Sequence, residues 1–270
     1  MPEFSQTVCP IWFRVRNGYE LEGSGVLLQI GSSRFLVTAA HVLDRILRED
    51  GWIGLPSGYF QIPLNGKLTT PPDGNRKKDH VDVGFIPLDE PLASAMSDTY
   101  AFLPVHCLEV LDDGIDGTPY IINGCPSKKV EKTDRTFRSQ LYEFRTTGLS
   151  HDAYPALDLF PERHIAMEFD RKRMKNGLGQ LVQSPKLNGV SGGPVWKMIS
   201  TTDPSGNLAC TKSLAGIVTE HGEGKRILIA TRIAAVLAGI AHAYPELAPL
   251  IPQNPNLTIV CGNKPLPEGF

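Results

Sequence analysis

The chain has no apolar run near the roughly 18 residues that a membrane-spanning helix requires, so no helical anchor is expected. It also lacks a charge of either sign, with 27 Lys and Arg against 29 Asp and Glu and a formal charge of −2. A surface so balanced has no field to draw in nucleic acid or an anionic membrane, and neither is expected as a partner. Cysteine is scarce and scattered: Cys9, Cys107, Cys125, Cys210 and Cys261 form an odd set without a CxxC pair. That excludes a disulfide framework and a zinc site of familiar spacing, and the reading is one of reduced thiols in a cytoplasmic protein. The segment Met1–Arg16 interleaves Glu3, Arg14 and Arg16 with its apolar residues, unlike a secretory leader. Nucleotide motifs are missing too. Gly23-Ser24-Gly25 lacks the third glycine of a dinucleotide fingerprint, and Gly222–Arg226 lacks the first glycine and the Ser/Thr of a P-loop. No cofactor and no metal is expected.

What is present is punctuation. Twenty-six glycines and 22 prolines cut the apolar residues into short runs. Val8–Val15 precedes the hairpin signal Asn17-Gly18, and Leu21–Ile30 and Phe35–Ala39 follow it. Further strand-like runs are Val81–Pro87, Thr118–Asn123, Leu141–Thr147, His164–Phe169, Gly193–Met198, Leu214–Thr219 and Arg226–Ala230. Many short strands without βαβ alternation indicate an all-β sandwich or barrel. Two helices are predicted. One is His41–Glu49; the other is Thr231–Tyr244, where Ile233, Val236, Leu237, Ile240, Ala241 and Tyr244 share one face. Gly51–Lys78, Ser127–Arg138 and Ser200–Lys212 read as loops. A divide near Gly114–Gly117 gives two β-rich halves, 1–117 and 118–244, the second ending in a closing helix over 231–244. Residues 245–270 contain six prolines and read as an extended tail against the body or in solvent. The basic clusters Arg76-Lys77-Lys78 and Arg171-Lys172-Arg173 with Lys175 read as solvated loop faces, or as docking points for an acidic partner.

One octet carries chemistry: Asn188-Gly189-Val190-Ser191-Gly192-Gly193-Pro194-Val195. A serine among glycines sits on a backbone that can turn sharply, with no neighbouring side chain over its hydroxyl. A glycine at 189 also lets a backbone N–H face an incoming carbonyl oxygen. Serine alone is a poor nucleophile and needs a base, usually a histidine held by a carboxylate. His41 follows an apolar strand, and Asp82 stands at the head of another. Asp79 competes with Asp82, but the apolar run begins directly after Asp82, which favours the latter. Gly189–Gly193 also satisfies the G-x-S-x-G elbow of α/β-hydrolases, with Asp203 and His221 or His242 as partners. The absence of strand–helix alternation before Ser191 speaks against that fold.

Thr38-Ala39-Ala40-His41, Asp82-Val83-Gly84-Phe85 and Gly189-Val190-Ser191-Gly192-Gly193-Pro194 resemble, in that order, the three motifs of trypsin/chymotrypsin-like serine peptidases. The resemblance spans roughly residues 8–244. It implies two antiparallel six-stranded β-barrels with a C-terminal helix, His41 and Asp82 on the first barrel and Ser191 on the second. It implies Ser191 as nucleophile, His41 as general base and Asp82 as the group orienting the imidazole. The N–H groups of Gly189 and Ser191 would form an oxyanion hole, and Thr219, Glu220 and His221 would line a substrate groove. The partner so implied is a protein or peptide substrate.

Two departures bear on this. Val42 replaces the cysteine of digestive members, and Val190 replaces the aspartate that pairs with a freshly cut N-terminus. Activation by N-terminal insertion is therefore not expected, a regulatory protein partner could shape the oxyanion loop instead, and the similarity is to intracellular bacterial members. The family's primary pocket would fall near Pro185, Lys186 and Leu228, without an acidic residue, so cleavage after Arg or Lys is not expected. The alternative function is a protease-fold binding module with little or no turnover.

Overall fold

In the computed structural model of the chain, the residues described are 3–16, 18–55, 58–69, 79–111, 117–132, 137–175, 180–184, 186–202, 208–222, 226–252 and 254. The first sheet is built from β1 (Val8–Val15), β2 (Gly18–Ile30), β3 (Ser33–Ala39), β4 (Gly51–Leu55), β5 (Gly58–Gln61), β6 (Lys67–Leu68), β7 (Val83–Pro87) and β8 (Leu103–Pro104). Its order is β5-β4-β1-β2-β3-β7-β6, antiparallel throughout, with β8 added parallel to β2. Helix α1 (Ala40–Glu49) follows β3, and α2 (Glu90–Ser97) follows β7.

The second sheet takes its strands from β9 (Pro119–Gly124), β12 (Tyr142–Thr147), β13 (His164–Glu168), β14 (Met174–Lys175), β15 (Leu181–Val182), β16 (Pro194–Thr202), β17 (Leu208–Gly222) and β18 (Ile227–Arg232). Their order is β13-β18-β17-β16-β9-β12-β14-β15, while β10 (Val130–Lys132) and β11 (Phe137–Ser139) pair as a separate hairpin. Helix α3 (Ile233–Ala243) closes the described body. Among the described residues each sheet holds six strands of at least four residues, as expected for each barrel, and two further strands of two residues each.

These runs form strands because alternate side chains find apolar partners on both faces. On β2, Leu27 enters the interior of the first sheet with Ile11, Leu36, Leu43 and Ile86, while Val26, Leu28 and Ile30 face the other way. On β9, Tyr120 and Ile122 fill the second sheet, while Ile121 faces out of it. The outward faces meet each other. Val26, Leu28, Val37 and Phe85 of the first sheet pack with Ile121, Trp196, Leu214 and Ile217 of the second, and α3 seals them with Ile233, Val236, Leu237 and Ile240.

Several sequence expectations are corrected. The stretch Gly51–Lys78 contains three strands rather than a loop; Ile53 and Leu55 turn inward on β4, but glycine at two of its five positions conceals the alternation. Ser127–Arg138 includes most of the small β10–β11 hairpin, and Ser200–Lys212 continues β16 and β17, which stay in register from Ile199 opposite Thr211 out to Thr202 opposite Leu208. Helix α2 was not signalled by periodicity. It is set by Asp89, whose carboxylate caps the Leu92 N–H at 2.9 Å, and by Pro91 in its first turn. The closing helix starts at Ile233 instead of Thr231, because Thr231 and Arg232 still pair with β17. Pro245–Leu250 forms a 3-10 turn rather than an extended tail and buries Leu247. Asn17, Arg76-Lys77-Lys78, residues 203–207, most of the divide at Gly114–Gly117 and residues 255–270 lie outside the described residues. No helix among the described residues is long and apolar enough to cross a membrane.

Polar bonds also cross between the sheets. His164, fully buried on β13, accepts the Phe160 N–H at Nδ1 (3.0 Å) and so donates from Nε2 to the His80 carbonyl at 2.7 Å. The bonded ring is neutral. Burial is the largest cause and holds its pKa below the ordinary 6.5, against the opposing pull of its hydrogen bonds to the His80 and Phe160 backbone. The unfolded chain therefore takes up this proton near pH 6.5 and the folded chain only at lower pH. Stability then falls as the pH drops from 6.5 through the folded value, and levels off once both states are protonated. We expect the urea midpoint to decline over that window more steeply in the wild type than in His164→Gln. Equal pH slopes would refute the assignment.

Candidate active site

His41 stands in the first turn of α1, directly after β3. The first N–H groups of a helix have no partner inside it. Ala39, at the N-cap, supplies no side-chain bond, and Asp82 supplies the bonds from a distance. Its carbonyl accepts the Ala40 N–H at 2.8 Å, and its Oδ1 accepts the His41 N–H at 2.9 Å. The other carboxylate oxygen, Oδ2, lies 2.6 Å from His41 Nδ1. An anion at a helix N-terminus is favourably placed, and this one also fixes the imidazole: Nδ1–H donates to Asp82, which leaves Nε2 as the basic nitrogen. His41 keeps 43% of its side-chain surface exposed, whereas Asp82 keeps 15%, so the imidazole is reachable and its partner is sheltered.

Asp82 adopts φ +43°, a left-handed conformation that Asp tolerates better than most residues. Asp79, its competitor in the sequence, supports that turn instead of touching His41. Asp79 Oδ1 accepts the N–H groups of Val81 (3.2 Å) and Asp82 (3.0 Å), and Oδ2 accepts the Thr69 hydroxyl at 2.7 Å.

Ser191 arrives from the second sheet on the loop before β16. Gly189 and Gly192 have φ +89° and +85°. At Gly192 the approach is closer still: a Cβ there would lie 2.0 Å from the Ser24 carbonyl oxygen and 2.2 Å from Thr38 Oγ1, so only glycine lets the loop seat on β2 and β3. Seated there, the Ser191 carbonyl accepts the Ser24 N–H and the Gly192 N–H donates to the Val218 carbonyl, both at 2.8 Å. Ser191 is thus docked against the strand that leads into His41. The Ser191 hydroxyl and His41 Nε2 share no hydrogen bond in this structure.

The fully buried Ser24 was not singled out by the sequence as a side chain with a role; its only signal was its place in Gly23-Ser24-Gly25. Its hydroxyl donates to the Gly189 carbonyl at 2.7 Å and accepts the Cys125 N–H at 2.9 Å. The neighbouring Asn188 carbonyl accepts the Ser127 N–H at 2.8 Å. In a trans peptide the N–H opposes the C=O, so the Gly189 N–H points away from Ser127. Among the described residues neither the Gly189 N–H nor the Ser191 N–H has a hydrogen-bond partner. Val190 is buried with Leu187, Val218, Leu228 and Ala230, so packing holds the loop where an ion pair was not available.

The remaining expected positions are placed unevenly. Thr219 is buried, with its hydroxyl 3.4 Å from the Ile229 carbonyl, whereas Glu220 is exposed on β17. The side chain of His221, and Pro185, lie outside the described residues. Leu228 is fully buried in the apolar cluster and Lys186 is exposed. The four described cysteines are free thiols. Burial pushes the Cys125 thiol, beside the serine loop, up to about 11, which keeps it protonated and unreactive.

The solved structure of GrC, a granzyme-like protease, is similar to this chain with a TM-score of 0.52 and 16% identity, covering 90% of this chain and 97% of GrC. At that identity the likeness shows the fold alone, a chymotrypsin-like double β-barrel with a C-terminal helix. No family model and no curated protein sequence matches the chain.

Ser24→Ala removes one hydroxyl and leaves the buried Gly189 carbonyl and Cys125 N–H without it. Unsatisfied buried groups of this kind cost about 1–3 kcal/mol each, so a loss of about 2 kcal/mol or more is expected in urea unfolding. A loss below about 0.5 kcal/mol, the range of an ordinary surface substitution, would show that the hydroxyl does not hold the loop.

Proposed function

We propose that the chain is a serine endopeptidase that cleaves protein or peptide substrates through an acyl-enzyme. The observation that carries this reading is the seam itself. An imidazole held through Nδ1 by one oxygen of the Asp82 carboxylate, whose other oxygen holds the backbone N–H of the same residue, adjoins a serine loop whose Gly189 and Ser191 N–H groups have no partner among the described residues. In this mechanism His41 Nε2 takes the proton of the Ser191 hydroxyl as Oγ attacks the scissile carbonyl carbon. Asp82 holds the imidazole in its tautomer and stabilises the imidazolium that forms. The carbonyl oxygen, now an anion, is received by the N–H groups of Gly189 and Ser191. His41 returns the proton to the leaving amine, and the C–N bond breaks to give the acyl-enzyme. Water, deprotonated by the same nitrogen, then attacks the ester carbonyl; the C–O bond to Ser191 breaks, His41 returns the proton to Oγ, and the carboxylic acid product leaves.

Thr219, Glu220 and His221 continue from Val218, which is bonded to the Ser191 loop, and this supports their role as one wall of the substrate groove. The buried Leu187, Val190 and Leu228 behind that loop offer no carboxylate to a basic side chain. Reporter peptides ending in Arg or Lys are therefore expected to be cleaved poorly, and robust turnover of them would refute this specificity. A regulatory protein partner would act on this loop, and labelling of the isolated chain tests the need for one, because Ser24 and Val190 already brace the loop from within.

A fluorophosphonate probe should label the purified chain. Labelling should vanish in Ser191→Ala and His41→Ala, and slow by about a thousandfold or more in Asp82→Asn. Labelling only on addition of a partner protein would support the regulated form. Labelling that survives in Ser191→Ala would overturn the assignment. Its absence under every condition would favour a protease-fold binding module.

A further inference from the structure

We infer that His164 and Thr231 are positioning residues for Asp82, holding from the second barrel the two peptide units that precede it. The inference rests on the reading of His41, Asp82 and Ser191 as a catalytic set, and deepens it.

The geometry is one of opposed anchors. The peptide joining His80 to Val81 is bonded at both ends: its carbonyl accepts from His164 Nε2 at 2.7 Å, and its N–H donates to Asp79 Oδ1 at 3.2 Å. The peptide joining Val81 to Asp82 is bonded the same way, its carbonyl accepting from the Thr231 hydroxyl and its N–H donating to Asp79 Oδ1 at 3.0 Å. In a trans peptide these two groups point in opposite directions, so each unit is gripped from opposite sides. The N–H side is held by the first barrel's own Asp79, and the carbonyl side by the second barrel. A peptide unit gripped at both ends cannot rotate, and Asp82 needs that restraint because φ +43° is a costly conformation.

The two anchors form one device. His164 and Thr231 are cross-strand partners on β13 and β18, and both are fully buried. The ring is itself fixed, since Nδ1 accepts the Phe160 N–H. Thr231 is β-branched in a strand, which restricts its hydroxyl to few orientations. Neither residue touches His41 or Ser191 through any hydrogen bond in the structure. Their effect on chemistry passes through the backbone of His80 and Val81 to the Asp82 carboxylate. The carboxylate that orients the base is therefore in place only when the two barrels are docked.

The test uses the full chain and four variants. Thr231→Val removes the hydroxyl and keeps the shape, while Thr231→Ser restores it. His164→Leu removes the donor, while His164→Gln keeps one. The first readout is the far-downfield proton resonance of His41 Nδ1–H bonded to Asp82, with Asp82→Asn as the reference for its loss. The second is the rate of fluorophosphonate labelling, and thermal unfolding reports whether each variant is folded. The resonance is expected to shift and broaden in Thr231→Val and His164→Leu and to recover in Thr231→Ser and His164→Gln. Labelling is expected to slow about tenfold or more in the first pair, as small misplacements of a catalytic group do. If Thr231→Val is folded, with both resonance and labelling as in the wild type, the proposal is overturned even should its melting temperature fall. A wild-type chain without the resonance overturns it as well, since there is then no held contact to position. If the resonance responds as expected but the wild type is never labelled, the positioning role stands and the hydrolytic reading fails.

Discussion

The seating of the serine loop on the first sheet is the contact from which the candidate site follows. At Gly192 the backbone comes so close to the Ser24 carbonyl and Thr38 Oγ1 that no side chain fits between them. The Ser24 hydroxyl then joins the Gly189 carbonyl of the loop to the Cys125 N–H. Because Ser24 and Thr38 belong to β2 and β3, this one contact also sets Ser191 against the strand that continues into His41. A loop displaced by an ångström here would lose its hydrogen bonds and its relation to the imidazole together. Packing adds to the restraint, since Val190 lies inside the second sheet while its two neighbours face the seam.

The two kinds of force at the barrel interface do different work. Apolar burial, with Val26, Leu28 and Phe85 against Trp196, Leu214 and Ile217 under α3, supplies most of the attraction but tolerates sliding, because it is non-directional. Hydrogen bonds contribute less net energy but have narrow geometry, and leaving one unmade in a buried setting is costly. Two sets of those across this interface flank the candidate site, the Ser24 hydroxyl beside the serine loop and the His164–Thr231 pair beside Asp82. They therefore sit where small displacements matter most to the proposed chemistry.

Asp82 shows how one side chain can serve folding and the site at once. Its carbonyl and Oδ1 meet the N–H groups that α1 leaves unpaired, and Oδ2 meets the imidazole on the same helix turn. The bonds that start the helix are the ones that aim the base. Its left-handed backbone lets both sets form, and Asp79, the rival candidate in the sequence, is spent on holding that backbone. The two aspartates divide a task that neither performs alone.

Much of this was legible in the chain itself. Alternating apolar runs, the Gly-rich octet around Ser191, and the placement of His41 and Asp82 at strand ends all follow from local chemistry, where residue type and spacing limit what a segment can do. The apolar face of α3 was readable for the same reason, apart from its first residues. The strands β4 and β17 were underestimated, because glycines in the one and polar residues in the other interrupt the apolar alternation that marks a strand. The roles of Ser24, Asp79, His164 and Thr231 belonged to the tertiary structure. Ser24 meets Gly189 across 165 positions, His164 meets His80 across 84, and Thr231 meets Val81 across 150. A serine, a histidine or a threonine within a strand carries no periodic mark of such a bond. Which carbonyl it reaches is decided only when two sheets, each folded by its own pattern, come to rest against one another.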